Sequence, residues 1–185
     1  MKLAEFEHVL AAAAEATGHD QFVVVGSQAI LGSVKDPPEQ LLESMEADIY
    51  PLHDPDGGTQ IDGALGDGSR FQQAFGYFAH GVGPETAKPP KGWQDRVVRI
   101  EIPPREGSRR SQPIVAHCLE LHDLVLSKCV ADRERDWQYA QEALRAELVE
   151  GSILLERVAQ LPVDARTAKQ IERNLRSIVD RAVSR

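Results

Sequence analysis

The run Phe22-Val23-Val24-Val25, halted by Gly26-Ser27, is the feature that most constrains the fold. Four consecutive apolar residues, three of them β-branched, make a strand too continuous to be half-exposed, so both of its faces need cover. After Gly26 the spacing turns helical from Ser27 to Ser33 through Ala29 and Ile30, and Pro37-Pro38 ends it. A second β-prone segment, Ser44-Met45-Glu46-Ala47-Asp48-Ile49-Tyr50, is closed by Pro51. Side chains alternate along a strand, so Glu46 and Asp48 share one face while Ala47 and Ile49 turn the other way, into the core.

These two segments also carry the chemistry. A Gly-Ser turn opening a helix serves either as a plain turn with an N-cap or as a phosphate cradle, because free amides at a helix start attract anions. Glu46 and Asp48 are either a solvated strand face or a pair whose mutual repulsion is relieved by a cation such as Mg2+. The chain has no G-x-G-x-x-G or P-loop pattern after the first strand, which disfavours dinucleotide and Walker-type sites.

Length and charge bound the remaining choices. A chain of 185 residues with 42% apolar content makes one domain, or one domain with a modest appendage. A net charge of −8 argues against non-specific nucleic-acid binding, and no DNA partner is expected. Two cysteines, Cys118 and Cys129, form no disulfide framework and read as core thiols, which points to a reducing, cytoplasmic setting. The first twenty residues lack the pattern of a signal peptide, and no apolar run approaches the ~20 residues of a membrane helix. His117, Cys118, His122 and Cys129 lack paired Cys-x-x-Cys spacing and do not read as a zinc site. Trp93 and Trp137 read as packing residues, with base stacking as the less common use.

The other elements follow from periodicity. Residues 2–17 form an amphipathic helix stopped by Gly18. The Gly- and Asp-rich stretch 53–70 reads as a long loop with one short helix, and 71–82 as a strand after a short helix. Residues 94–102 alternate as a strand with one apolar face, and Arg105 to Ser111 form a basic, mobile turn. From Ile114 onward the pattern is helical: 119–131, then 133–149 capped by Asp132, then a helix from Gly151, then one capped by Asp164 with Ile171, Leu175 and Ile178 inside. Lys128 falls on the apolar stripe of Leu121, Leu124 and Val125, where a lysine either snorkels to the edge or meets a buried anion.

The strand, the Gly26-Ser27 turn and the later strand with Glu46 and Asp48 resemble the polymerase-beta-like nucleotidyltransferase superfamily. The likeness is nearest to small prokaryotic members whose acid motif reads Ser-x-Glu-Ala-Asp, here Ser44 to Asp48. Ile61-Asp62-Gly63-Ala64, Phe75-Gly76-Tyr77-Phe78 and Gly81 to Ala87 extend it. One departure is Glu46, where most catalysts of the superfamily carry Asp. The segment from Lys128 to Asp136 is similar to abortive-infection-type nucleotidyltransferase toxins. The resemblance implies an α/β (α+β) fold: a nucleotidyltransferase-like short mixed sheet with flanking helices over 1–112, then a C-terminal helical bundle over 113–185. It implies that Gly26 and Ser27 hold phosphates, that Glu46 and Asp48 hold Mg2+, and that Lys128 contacts the triphosphate of a bound NTP. Asp136 would orient it or join the acidic site, and Arg133 or Arg135 would neutralise charge on the leaving pyrophosphate. Glu101 is the candidate third acid, or else an exposed strand acid paired to Arg99. The implied reaction moves an NMP group from NTP to a hydroxyl on a tRNA end or a protein, with an antitoxin protein as a further partner. A non-catalytic regulatory or partner-binding module of the same fold is the alternative.

Overall fold

The strand β1 (Gln21–Val25) lies in the middle of a five-stranded sheet, as a run of apolar residues with no polar face requires. The computed structural model describes residues 1–104 and 110–183, so most of the basic turn read from Arg105 to Ser111 lies outside the described residues. The helix α1 (Leu3–Thr17) precedes β1, and Gly18 ends it in the left-handed conformation. The remaining strands are β2 (Glu46–Pro51), β3 (Phe78–Gly81), β4 (Val98–Ile102) and β5 (Ile114–Cys118). Their order is β3-β2-β1-β5-β4. β1 runs antiparallel to β2 and parallel to β5, β2 runs parallel to β3, and β4 runs antiparallel to β5, so the sheet is mixed.

The segment Ser27–Gly32 is a tight 3₁₀ turn rather than an α-helix, and it buries Ala29, Ile30 and Leu31 against the sheet and the C-terminal helices. Between β2 and β3 come α2 (Gly58–Leu65) and α3 (Arg70–Phe75), the short helix expected within the glycine-rich stretch and the one expected before the next strand. α2 packs on β3 so closely that the backbones nearly touch: a Cβ on Gly81 would sit 1.7 Å from the Gly58 carbonyl oxygen. The strand read over 94–102 begins only at Val98, after a 3₁₀ turn at Trp93–Asp95.

The expectation that the chain turns helical at Ile114 is corrected by β5. Ile114–Cys118 is an internal strand between β1 and β4, and its buried Ile114, Val115, Ala116 and Cys118 explain why no polar alternation marks it. Beyond it stand α4 (Leu121–Ala131), α5 (Glu134–Arg145), α6 (Gly151–Arg157) and α7 (Ala165–Val183). The mixed sheet with flanking helices and a C-terminal run of helices is the architecture expected. Asp132 does not cap α5. It ends α4 with φ 54°, and its carboxylate accepts a hydrogen bond from Trp137 Nε1 at 2.7 Å. Asp164 does cap α7, accepting from the backbone of Arg166 and Thr167.

A buried ionic cluster fixes the start of α4. Asp123, fully buried, accepts from Arg96 Nε at 2.8 Å and Arg157 Nη1 at 2.9 Å. Glu120 accepts from the same Arg157 nitrogen at 2.6 Å and from His122 Nδ1 at 2.5 Å. The Glu150 amide donates to His122 Nε2, so the imidazole carries its proton on Nδ1, toward Glu120. Burial pushes the Glu120 carboxyl up, but hydrogen bonds from His122 and Arg157 outweigh it and hold it at about 2. Cys118 and Cys129 are buried, and burial pushes the Cys118 thiol up to about 12. Among the described residues no helix is long and apolar enough to cross a membrane.

Two glycines in the α2–β3 unit predict opposite outcomes. Gly81→Ala forces its methyl into the Gly58 carbonyl and should cost about 1–3 kcal/mol in urea unfolding. Gly63→Ala, on α2 with open space around it, should instead stabilise by about 0.5–1 kcal/mol. Equal effects of the two would contradict the close approach of α2 and β3.

Candidate active site

Four elements bring the site together: the turn after β1, the first half of β2 and the facing ends of α4 and α5. They line an open cleft of ≈ 810 Å³. Because β1 and β2 are antiparallel with Val25 opposite Asp48, the chain leaves β1 at the point where the acid pair sits. Gly26 follows in the left-handed region, φ 65°. A Cβ there would lie 2.0 Å from Asp48 Oδ2, so the turn needs glycine both for its backbone and for room beside that carboxylate.

Asp48 is mostly buried, with 17% of its side chain exposed, and Glu46 lies on the same strand face. Burial, and then the nearby Glu46 charge, hold the Asp48 carboxyl above its ordinary value. β3 supplies a third group. His80 pairs in register with Asp48, and its Nδ1 lies 3.0 Å from Asp48 Oδ1. One ligand atom each from Glu46, Asp48 and His80 lie within 4.8 Å of one another. Two oxygen donors and one nitrogen, with room kept clear by Gly26, fit a divalent cation whose charge offsets the paired acids.

The opposite wall is cationic. Lys128 Nζ on α4 donates to Ser27 Oγ at 2.9 Å, lies 3.5 Å from Asp136 Oδ1, and sits 4.5 Å from the ring centre of Tyr139. Burial lowers its proton affinity, and the Asp136 charge pulls the other way. Asp136 is itself fully buried and accepts from Arg133 Nε at 2.6 Å. That bond raises the affinity of the Arg133 guanidinium for its proton. Asp136 therefore holds Lys128 and Arg133 in position from behind instead of lining the cleft. Gly26, Ser27, Glu46, Asp48, Lys128, Arg133 and Arg135 all line it.

Glu101 is not brought to this site. β4 is the edge strand on the far side of the sheet from β3, and Glu101 stands in register with Val115 and, through it, with Gln21 at the other end of β1. Strand spacing and rise put it on the order of 20 Å from Asp48. Its carboxylate pairs with Arg99 at 3.2 Å on the exposed sheet surface, the alternative open from the sequence. His80 was not legible as a site residue, because only the parallel pairing of β2 with β3 carries it to Asp48.

A family model described as "nucleotidyltransferase of unknown function (DUF6036)" matches residues 4–182. The chain belongs to this family. The match runs across the sheet and all the C-terminal helices, so this nucleotidyltransferase family is defined over the whole frame that holds the cleft. No curated protein and no solved structure matches the chain.

The raised proton affinity of Asp48 has a sign that can be tested. A carboxyl that binds its proton more readily folded than unfolded destabilises the fold once pH rises through and above its unfolded value near 3.8. In EDTA at pH 7, Asp48→Asn should therefore melt at a higher temperature than the parent, and the difference should vanish as pH falls toward that value. A lower melting temperature at pH 7 would show that the carboxylate is stabilised in place.

Proposed function

We propose that the chain transfers a nucleotidyl group from an NTP to a hydroxyl acceptor, with Mg2+ as the cofactor. The observation that carries this reading is the cleft itself, with an acid pair on β2 facing Lys128 and the Ser27 hydroxyl across the Gly26 turn. Membership in a nucleotidyltransferase family supports the same chemistry. Glu46 and Asp48 would hold the divalent ion, which supplies charge neutralisation at the phosphates.

The chain's own groups divide the rest of the work. Ser27 and Lys128 would bind the β- and γ-phosphates, and Arg133 and Arg135 would offset charge on the departing pyrophosphate. The acceptor oxygen attacks the α-phosphorus, and the bond from that phosphorus to the bridging oxygen breaks. Pyrophosphate leaves with the electron pair, and the acceptor proton passes to a carboxylate of the cleft. Tyr139 and Asp136 keep the Lys128 ammonium from swinging away between turnovers.

The Ser44 to Asp48 motif and the Lys128 to Asp136 segment extend the proposal to a polymerase-beta-like enzyme of the abortive-infection toxin type. Its acceptor would then be a tRNA end or a protein side chain in the cytoplasm, and an antitoxin protein would block it. A non-catalytic, nucleotide-binding role is the second reading. It draws on Glu46 in place of the usual Asp and on a third position held by His80 instead of a carboxylate.

Incubation with each α-labelled NTP, Mg2+, total tRNA and a protein extract decides between them. The parent should transfer label to RNA or protein, and Asp48→Ala should lose transfer by at least about a thousandfold. Binding without transfer would favour the second reading. Lys128→Ala should weaken nucleoside triphosphate binding at least about tenfold while changing monophosphate binding little. Equal loss for both would assign Lys128 to the fold alone.

A further inference from the structure

Taking the acid pair as the cation site of the proposed nucleotidyltransferase, we propose that His80 is a third metal ligand and makes the site prefer Mn2+ to Mg2+. The register of β2 and β3 sets Asp48 and His80 side by side on neighbouring parallel strands. Their facing atoms, Asp48 Oδ1 and His80 Nδ1, are 3.0 Å apart, and a Glu46 oxygen completes a triangle with every edge within 4.8 Å. Three donor atoms this close can converge on one ion at metal–ligand distances of about 2.0–2.2 Å by small side-chain rotations. His80 is free to make that rotation, since half of its side chain is exposed on an edge strand. Asp48 is free to make it because Gly26 carries no Cβ against its carboxylate.

The donor set decides the metal. Mg2+ is a small, hard ion that favours oxygen ligands in near-ideal octahedra and gives up its water reluctantly. A carboxylate at position 80 would give it a third anionic oxygen. An imidazole removes that charge and offers a nitrogen, which first-row transition ions bind better than Mg2+ does. Mn2+ is the first-row ion that shares the carboxylate chemistry of Mg2+, so it is the one to compare with Mg2+ at two acids and one histidine. The other arrangement of the same atoms leaves His80 outside the coordination sphere, donating to Asp48 and orienting it.

Mn2+ added to the full chain distinguishes the two arrangements without any turnover. Free Mn2+ is followed by electron paramagnetic resonance, Mg2+ is the competitor, and pulsed measurements read 14N coupling to the bound ion. The parent should bind Mn2+ at least about tenfold tighter than Mg2+ and show 14N coupling. His80→Asp should still bind Mn2+, lose the coupling and lose the preference by about tenfold. His80→Asn provides the same spectroscopic test if the acidic variant melts early. Bound Mn2+ without nitrogen coupling in the parent overturns the proposal, as does an unchanged preference in His80→Asp, and so does failure of the parent to bind Mn2+. Label transfer with Mg2+ is read separately, so the nucleotidyltransferase reading can stand while the role of His80 falls.

Discussion

The Lys128 ammonium is the tie on which the relation between sheet and helices depends. It is mostly buried, and three groups from two other segments compensate for its lost water: the Ser27 hydroxyl, the Asp136 carboxylate and the face of Tyr139. A buried cation tolerates few arrangements, because any partner that moves leaves charge uncompensated. The turn after β1, the last turns of α4 and the first half of α5 are therefore held in one geometry. The acid pair on β2 is fixed to the same turn by backbone pairing, so the anionic and cationic walls of the cleft share a single reference point.

The two ends of α4 are secured by different means. Its first turn is locked by Asp123, which joins Arg96 from the segment before β4 to Arg157 on α6. Its last turn carries Lys128 toward the cleft. The Asp123 cluster stands outside the cleft lining and consists of satisfied charges, so its work is positional: it sets the direction in which α4 delivers the lysine. Asp136 behaves in the same manner on α5, buried behind the two cations it steadies.

Local signals in the sequence were enough for much of the fold and half of the site. The unbroken apolar run marked β1 as an interior strand, and the period-two pattern at Glu46 and Asp48 set both acids on one face. Lys128 on an apolar stripe left two fates open, snorkelling to the edge or meeting a buried anion, and the structure gives the second, Asp136. What escaped notice depends on pairing between distant segments. Ile114–Cys118 has no alternation because it is covered on both faces, so it reads as well as the start of a helix. Glu101 has the right residue type on a clear strand, yet strand order sends it to the wrong edge. His80 has no local mark at all, and only the β2–β3 register makes it a neighbour of Asp48. Asp132 misled because an aspartate before a helix usually caps it, whereas here the left-handed end of the preceding helix claimed it.

The β1–β2 register also divides the chain into parts that tolerate changes of length and parts that do not. Between Lys35 and Pro38 the chain only has to cross to the short 3₁₀ turn Glu39–Leu41, whose buried Leu41 is packed beside α5, and extra residues in that exposed crossing would be looped out at small entropic cost. One residue added inside Glu46–Ile49 is a different event, since strand faces alternate. Placed between the two acids, it would turn Glu46 and Asp48 to opposite faces of the sheet or force a bulge into the pairing with β1. Length can thus vary in that exposed crossing and leave the cleft intact, while a single residue inserted between the two acids would break up the pair that gives the cleft its charge.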